Sequence, residues 1–435
     1  MKISLFWHRR DLRINDNAGL FKALKSSDQV QPIFIFDRNI LDLLPNNDQR
    51  VLFIYQYVSA LKESYRKLGS DLWIFYGKPL EIIPELCENK GFDNVYTNRD
   101  YEPYALERDK TMFDLLKAKN VEFHGTKDHV IFEKNEVLKD DGKPYTVFTP
   151  YSKKWKVKLN DYFLSSYPME KYVENLRIEP NQIEFPTLQQ MGFDDEQLFS
   201  FPKDITSNEL IKNYNLQRDF PSKCGTSRLS VHLRFGTISI RELARRAKEL
   251  NETFLNELIW RDFYQMIIYH FPHSAKNSFK PSYDRIEWEK NEEHFQAWCN
   301  GKTGYPLVDA GMRELNQTGF MHNRVRMVVA SFLTKHLLID WRWGEAYFAE
   351  KLMDFELASN AGGWQWAAGC GCDAAPYFRV FNPSSQQEKF DKSMEYIRKW
   401  IPEFGTASYP QPIIDHKFAR ERVIERYKSA LNETI

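Results

Sequence analysis

The chain is poor in cysteine. It has five in 435 residues, Cys87, Cys224, Cys299, Cys370 and Cys372, odd in number and scattered, which argues against a disulfide framework and for a reducing compartment. Cys370-Gly-Cys372 has the shape of half a metal site, but no second cysteine or histidine pair stands at ligand spacing. The two are read as small core residues, and no metal is expected. Apolar runs of eighteen or more residues are absent, which excludes a membrane-spanning helix read from hydropathy. The start, "MKISLFWHRRDLRINDN", turns polar too early for a secretory signal, so a cytoplasmic protein is expected. Net charge is lacking too: Lys+Arg and Asp+Glu number 60 each. Residues 1–200 carry 28 basic and 31 acidic side chains and residues 201–435 carry 32 and 29. Any phosphate-binding face must therefore be a local patch.

What is present divides the chain. Residues 1–125 alternate short β-rich runs ("ISLFW", "QPIFIFD", "DLWIFYG", "NVYTN", "VEFHG") with amphipathic helical stretches such as "QRVLFIYQYVSALKESYRKLG". This alternation predicts a parallel, doubly wound α/β sheet. No Gly-x-Gly-x-x-Gly follows the first run; "WHRRDLRINDN" stands there instead, so no standard dinucleotide site is expected in this domain. Residues 126–200 read as a long connector, and 201–435 as an all-helical domain.

In the helical part, "GTSRLSVHLRFGTIS" sets Thr226, Ser227 and Ser230 at a helix start, a pattern that serves either as a phosphate seat or as simple N-capping. "NELIWRDFYQ" puts Glu257, Trp260, Arg261 and Tyr264 on one helical face and Leu258, Ile259 and Phe263 on the other. That pattern suits an amphipathic surface helix or the wall of a polar cleft. "GFMHNRVRMVVASFL" places Asn323, Arg326 and Met327 on a helix that continues as core, with Asp354 the expected partner of Arg326. In "SNAGGWQWAAGCGC", Trp364 and Trp366 lie two apart and point to different surfaces of a helix. The preceding Gly362-Gly363 costs roughly 1 kcal/mol per glycine in helix propensity, so something nearby needs the backbone close.

These stretches, with "FWHRRDLRINDNAGL", "GKTGYPLVDAGMRELNQTGFMHNRVRMVVASFL", "LLIDWRWGEAYF" and "YPQPIIDHKFAR", resemble over nearly the whole chain the photolyase/cryptochrome flavoproteins, and among them the class I cyclobutane pyrimidine dimer photolyases. The resemblance implies an N-terminal α/β antenna domain (1–125), an interdomain linker (126–200) and a helical domain (201–435) that binds FAD and DNA. It implies that Tyr214, Thr226, Ser227, Arg228, Leu229, Ser230, Arg261, Arg326, Asp354, Glu356 and Asn360 hold FAD, with Asn360 at the flavin N5 edge. It assigns Trp364, Trp341 and Trp288 to an electron relay. Trp260 and Trp366 would stack on the flipped-out lesion; Glu257, Asn323 and Met327 would complete its pocket.

Arg324 and Arg379 would take phosphates beside the lesion, with Lys153, Lys154 and Lys156 as weaker candidates. The implied partner is UV-damaged DNA, the implied state a monomer, and the implied reaction light-driven electron donation to a cyclobutane dimer. Cryptochrome receptors, DASH-type proteins and (6-4) photolyases are the alternatives; the last typically carry histidines where this chain has Asn323 and Met327. A second, antenna chromophore is open in identity. Folate is disfavoured, because Tyr104-Ala105 and Ala275-Lys276 replace the pairs that folate-binding relatives carry.

Overall fold

The computed structural model describes residues 1–178 and 184–432. Part of the stretch read as a connector, residues 179–183, lies outside the described residues, as do the last three of the chain. The chain forms two compact units. One is built from 1–133, 158–205 and 228–246, the other from 134–157, 206–227 and 247–435.

The first unit is a five-stranded parallel sheet. In chain order it runs β1 (Ile3–His8), α1 (Ala18–Ser26), β2 (Gln29–Asp37), α2 (Gln49–Lys67), β3 (Trp73–Gly77), α3 (Pro79–Lys90), β4 (Asn94–Asn98), α4 (Pro103–Ala118) and β5 (Glu122–Thr126). The strand order is β3-β2-β1-β4-β5, so each apolar run that the sequence marks as a strand is one. β1 is central, and Leu5, Phe6 and Trp7 are buried. Helices cover both faces of such a sheet, which is why its strands read as continuous apolar runs and not as alternating ones.

The chain reverses direction between β1 and β4, the switch point at which doubly wound sheets open a crevice. Here the segment after β1 carries side chains in place of a glycine loop. Asn98 donates to Asp11 (2.6 Å) and to Asn17 (2.8 Å), Asn17 donates to Asp11 (3.0 Å), and His8 Nε2 meets the Tyr65 hydroxyl at 2.7 Å. Deeper still, Asp128 lies between Arg13 (2.7 Å) and Arg241 (2.9 Å) and accepts the Ala18 N–H at the start of α1 (3.0 Å). Most of the polar side chains of "WHRRDLRIND" thus fold into a hydrogen-bonded network, the condition under which buried polar groups are tolerated.

Beyond β5 every regular element among the described residues is helical. The second unit is organised by α5 (Phe148–Lys158), α6 (Glu252–His270), α7 (Asn323–Ser331), α8 (Trp341–Lys351), α9 (Leu357–Ala368) and α10 (His416–Asn432). A π-helical turn, Phe332–His336, prolongs α7. Its main core gathers Trp298, Trp341, Trp364, Phe332, Phe348 and their neighbours, with Trp288, Trp343 and Trp366 packed against the margin. Within the stretch whose pattern reads as a connector, α5 is a true helix that buries Tyr151 and Trp155. The Trp155 indole N–H donates to the buried carboxylate of Asp262 at 3.0 Å, pinning α5 to α6. No helix among the described residues is long and apolar enough to cross a membrane.

Candidate active site

The site is organised around α6. Its two faces fall as the spacing predicts: Leu258, Ile259 and Phe263 are buried, while Glu257, Trp260, Arg261 and Tyr264 are half-buried on the other side. The Asn251 side chain caps the helix by accepting the Phe254 N–H. Arg218 forms an ion pair with Glu257. Burial raises the Glu257 carboxyl above its ordinary range, and the attraction of Arg218 only partly opposes this. Arg218 belongs to a small charged relay, since its neighbour Asp219 accepts from Arg324 at 2.6 Å. Arg324 also lies over Phe390 at 4.4 Å and reaches Met327 Sδ at 3.7 Å. Asn323 is exposed at the start of α7. His322 caps that helix, accepting the Arg324 N–H at 3.2 Å. Burial, with Arg326 and Arg324 nearby, pushes its imidazole down to about 4, so it is neutral at pH 7.

Three polar pairs face the helices α6, α7 and α9. Arg261 meets Glu356 at 3.3 Å, and Glu356 in turn accepts from Ser359 at 3.0 Å. Arg326 donates through Nη2 to both oxygens of Asp354, at 3.0 and 3.2 Å, and through Nε to the Met321 carbonyl at 2.7 Å. The predicted Arg326–Asp354 pair is therefore present. Asn360 donates its amide to the Glu345 carbonyl (3.0 Å) and carboxylate (2.9 Å), and burial raises the Glu345 carboxyl.

The glycine pair has two separate explanations. A Cβ on Gly362 would collide with ring atoms of Tyr264, whereas one on Gly363 would meet nothing within 4 Å. Gly363 is exposed and one turn from Asn360. It leaves open space on the face where the sequence calls for a close approach.

The tryptophans separate as their positions demand. Trp364 is buried, edge-on to Trp298 (6.0 Å) and Phe348 (5.0 Å), and Trp341 is buried in the same core. Neither indole N–H meets an acceptor among the described residues. Trp288 is half-buried at the margin of that core, edge-on to Tyr427 at 6.0 Å. Trp366 is half-buried and tilts toward Phe381 at 6.4 Å, over which the exposed Arg379 sits at 5.4 Å. Trp260 stacks on Phe148.

Tyr214, Thr226 and Ser227 belong to the helical unit, whereas Arg228, Leu229 and Ser230 fall in the α/β unit. Tyr214 packs edge-on against Phe254 at 5.1 Å. The helix Ser230–Phe235 has Leu229 at its N-cap and no side-chain cap from it. Arg228 adopts a positive φ of 54°, uncommon for a residue with a side chain. Of the lysines on α5, Lys154 pairs with Asp140 (2.9 Å) and Lys156 with Glu252 (2.5 Å), while Lys153 is exposed. The Cys370 and Cys372 thiols are buried and pushed up to about 12 by that burial, and no metal-binding cluster occurs among the described residues. Arg218, Asp219, Glu345 and Phe148 carry no motif. Only their partners in space reveal them.

The chain thus combines a doubly wound sheet without a glycine phosphate loop and a helical unit with paired arginines, an open glycine face and buried indoles. Residues 4–170 match the family model described as DNA photolyase, and residues 254–408 the one described as the FAD binding domain of DNA photolyase. A deoxyribodipyrimidine photo-lyase of Synechococcus sp. is 36% identical, covering 99% of this chain and 98% of that one. A solved bacterial class III photolyase from Agrobacterium tumefaciens superposes with a TM-score of 0.88 at 32% identity, covering 100% of this chain and 98% of that chain. The archaeal photolyase from Sulfolobus tokodaii, solved with two FAD molecules, gives 0.86 at 35% identity, covering 98% and 100%. The chain belongs to the DNA photolyase family. It is an enzyme of that family, with an FAD-binding domain.

The residues present fit a flavin. Arg326 Nη1 and Asn360 Oδ1 have no protein partner among the described hydrogen bonds, one offering a donor and the other an acceptor. Gly363, one turn after Asn360 on α9, adds open space on that helix. Arg261 and Arg326 each sit on a carboxylate, so the cradle offers oriented N–H groups at little net charge.

Proposed function

We propose that this protein repairs cyclobutane pyrimidine dimers in DNA by light-driven electron transfer to the flipped-out lesion. The observation that carries this is the face of α6. A carboxyl at Glu257, raised by burial and held by Arg218, sits one turn before an indole with a half-buried ring, with Asn323 and Met327 supplied from α7. FAD, when bound, supplies the light absorption and the one-electron chemistry. Arg261, Arg326, Asp354, Glu356 and Asn360 hold and orient it, together with Tyr214 and the segment Thr226–Ser230. Trp364, Trp341 and Trp288 carry electrons inward from the protein margin. Trp260 and Trp366 present aromatic faces to an extruded dimer, whose weakened pairing lowers the cost of flipping to a few kcal/mol or less. Glu257 hydrogen-bonds the dimer bases, and Arg324 and Arg379 meet the neighbouring phosphates. In this reading residues 1–125 form the antenna domain, 126–200 the linker and 201–435 the FAD- and DNA-binding domain, acting as a monomer in the cytoplasm.

The test is repair of one defined cyclobutane thymine dimer in duplex DNA under blue light, beside a dark control and a (6-4) substrate. Light-dependent repair of the cyclobutane lesion alone is expected. Glu257→Gln keeps the shape but removes a charged acceptor worth about 1.5–3 kcal/mol, so kcat/KM falls roughly 10- to 100-fold. No repair of either lesion by protein with bound FAD would overturn the reading and favour a light receptor.

A further inference from the structure

Phe148 and Trp260 form a tight aromatic pair in the helical unit, with ring centroids 3.6 Å apart and planes 3° from parallel. A full face-to-face sandwich is not the arrangement that ring quadrupoles prefer, so something other than the pair itself must fix it. The surroundings do. Phe263, fully buried, stands edge-on to both rings, at 5.9 Å from Phe148 and 5.7 Å from Trp260. Phe148 is the first residue of α5, and its N–H donates to Asp373 at 3.1 Å. Further along the same helix, Tyr151 packs on Phe263 at 5.2 Å and Trp155 is locked to Asp262. α5 cannot swing away without breaking that buried anchor.

The stack leaves no room for a base between the two rings. One face of Trp260 is therefore sealed by Phe148; Tyr264, one turn further along α6, lies 5.5 Å away at 28° to the same indole, which as a whole stays half-buried and reaches solvent. We propose that Phe148 is a positioning residue for the lesion: it backs Trp260 so that a single face of the indole, held at a fixed angle, receives the extruded pyrimidine dimer. This rests on Trp260 being a lesion-stacking residue in the function proposed above. A rigid back plate lowers the entropy that the indole would otherwise lose on binding, which is how preorganisation raises affinity. Undamaged DNA, whose bases stay in the duplex, does not use the indole and gains nothing from the plate.

The experiment measures binding of FAD-loaded protein in the dark to two duplexes that differ only in one cyclobutane dimer. Phe148→Leu, which fills space without a ring, and Phe148→Ala are each expected to lose about 3- to 10-fold in affinity for the damaged duplex, the range of one aromatic pair. Both keep wild-type affinity for the undamaged one. Phe148→Tyr restores discrimination. FAD content and melting temperature, measured alongside, separate this from misfolding. In a double-mutant cycle, Phe148→Leu adds little once Trp260 is replaced by alanine.

Equal binding by Phe148→Leu and wild type, or additive losses in the cycle, would overturn the proposal. So would a gain in lesion affinity on truncation, which would make Phe148 a plug. Wild-type protein that does not prefer the damaged duplex would instead refute the parent reading, and the role of Phe148 would fall with it.

Discussion

Gly344→Ala is expected to disable photoreduction of the bound flavin and to destabilise the protein at once. Gly344 is buried in α8, and a Cβ there would land inside the contact envelope of the Trp364 ring atoms Cη2 and Cζ3 and 2.6 Å from Leu333 Cδ2. Alanine improves helix propensity by about 1 kcal/mol, but overpacking a closed core costs about 1–3 kcal/mol. Here the obstacle is a rigid indole, so the steric cost wins. The displaced ring is the one assigned to the inner end of the relay, and a shift of that ring lengthens the path to the flavin.

Trp364→Phe is the matched control. It removes the oxidisable indole but also removes a buried N–H without a protein acceptor, whose burial is itself unfavourable by roughly 1–3 kcal/mol. Its stability should therefore fall less than a ring truncation in the core would suggest. Flavin absorbance under blue light with an external thiol, together with the melting temperature, reads both effects. Gly344→Ala that photoreduces at the wild-type rate would remove Trp364 from the relay.

Asp128→Ala is the larger loss in stability, about 3–5 kcal/mol, the usual result when one partner of a buried charge cluster is deleted. Arg13 and Arg241 would keep hydrogen bonds to Gly236 O and to Asp16, but two guanidinium groups would share too little negative charge. The same carboxyl makes stability depend on pH. Burial alone would raise it, yet Arg13, Arg241 and the Ala18 N–H outweigh burial and hold it well below the ordinary carboxylate range. Asp100 is likewise held well below that range: burial again opposes, and Arg10, His129, Arg234 and Arg9 prevail. A group depressed in the folded state contributes stability above its unfolded value and loses it as pH falls. Urea midpoints should thus hold near neutrality and drop below about pH 4. Asp128→Asn should start lower at pH 7 and show a shallower acid decline. An unchanged acid profile would remove Asp128 from the cause.

The strands were legible because each is a short apolar run between breakers. The order β3-β2-β1-β4-β5 was not, because nothing local records which runs become neighbours. In the site, groupings set by helical spacing could be read: Glu257, Trp260, Arg261 and Tyr264 share a face, and Arg326 finds Asp354 as expected. Partners brought together only by tertiary folding were silent. Arg218 lies 39 residues before Glu257 and Glu345 15 before Asn360, and neither carries a periodic signal. Phe148 sits in a stretch whose prolines and charges read as a connector, and only the burial of Tyr151 and Trp155 shows that the segment is part of the helical unit. At "GTSRLS" the pattern left two uses open, and the structure shows that the N-cap of the following helix is Leu229, with no side-chain cap from it.

The indoles of Trp341 and Trp364 have a consequence for protons. An electron removed from either ring makes its N–H acidic, but with no acceptor in reach the proton stays on the nitrogen. The oxidised ring is then restored by electron return alone, quickly and without any proton to recover. Trp288, half-buried at the margin, can release its proton to solvent and is held in its oxidised form once it does so. In the electron relay proposed above, passage through the core would thereby be reversible and capture would occur at the edge, so the direction of net charge separation would follow from which nitrogen can reach water.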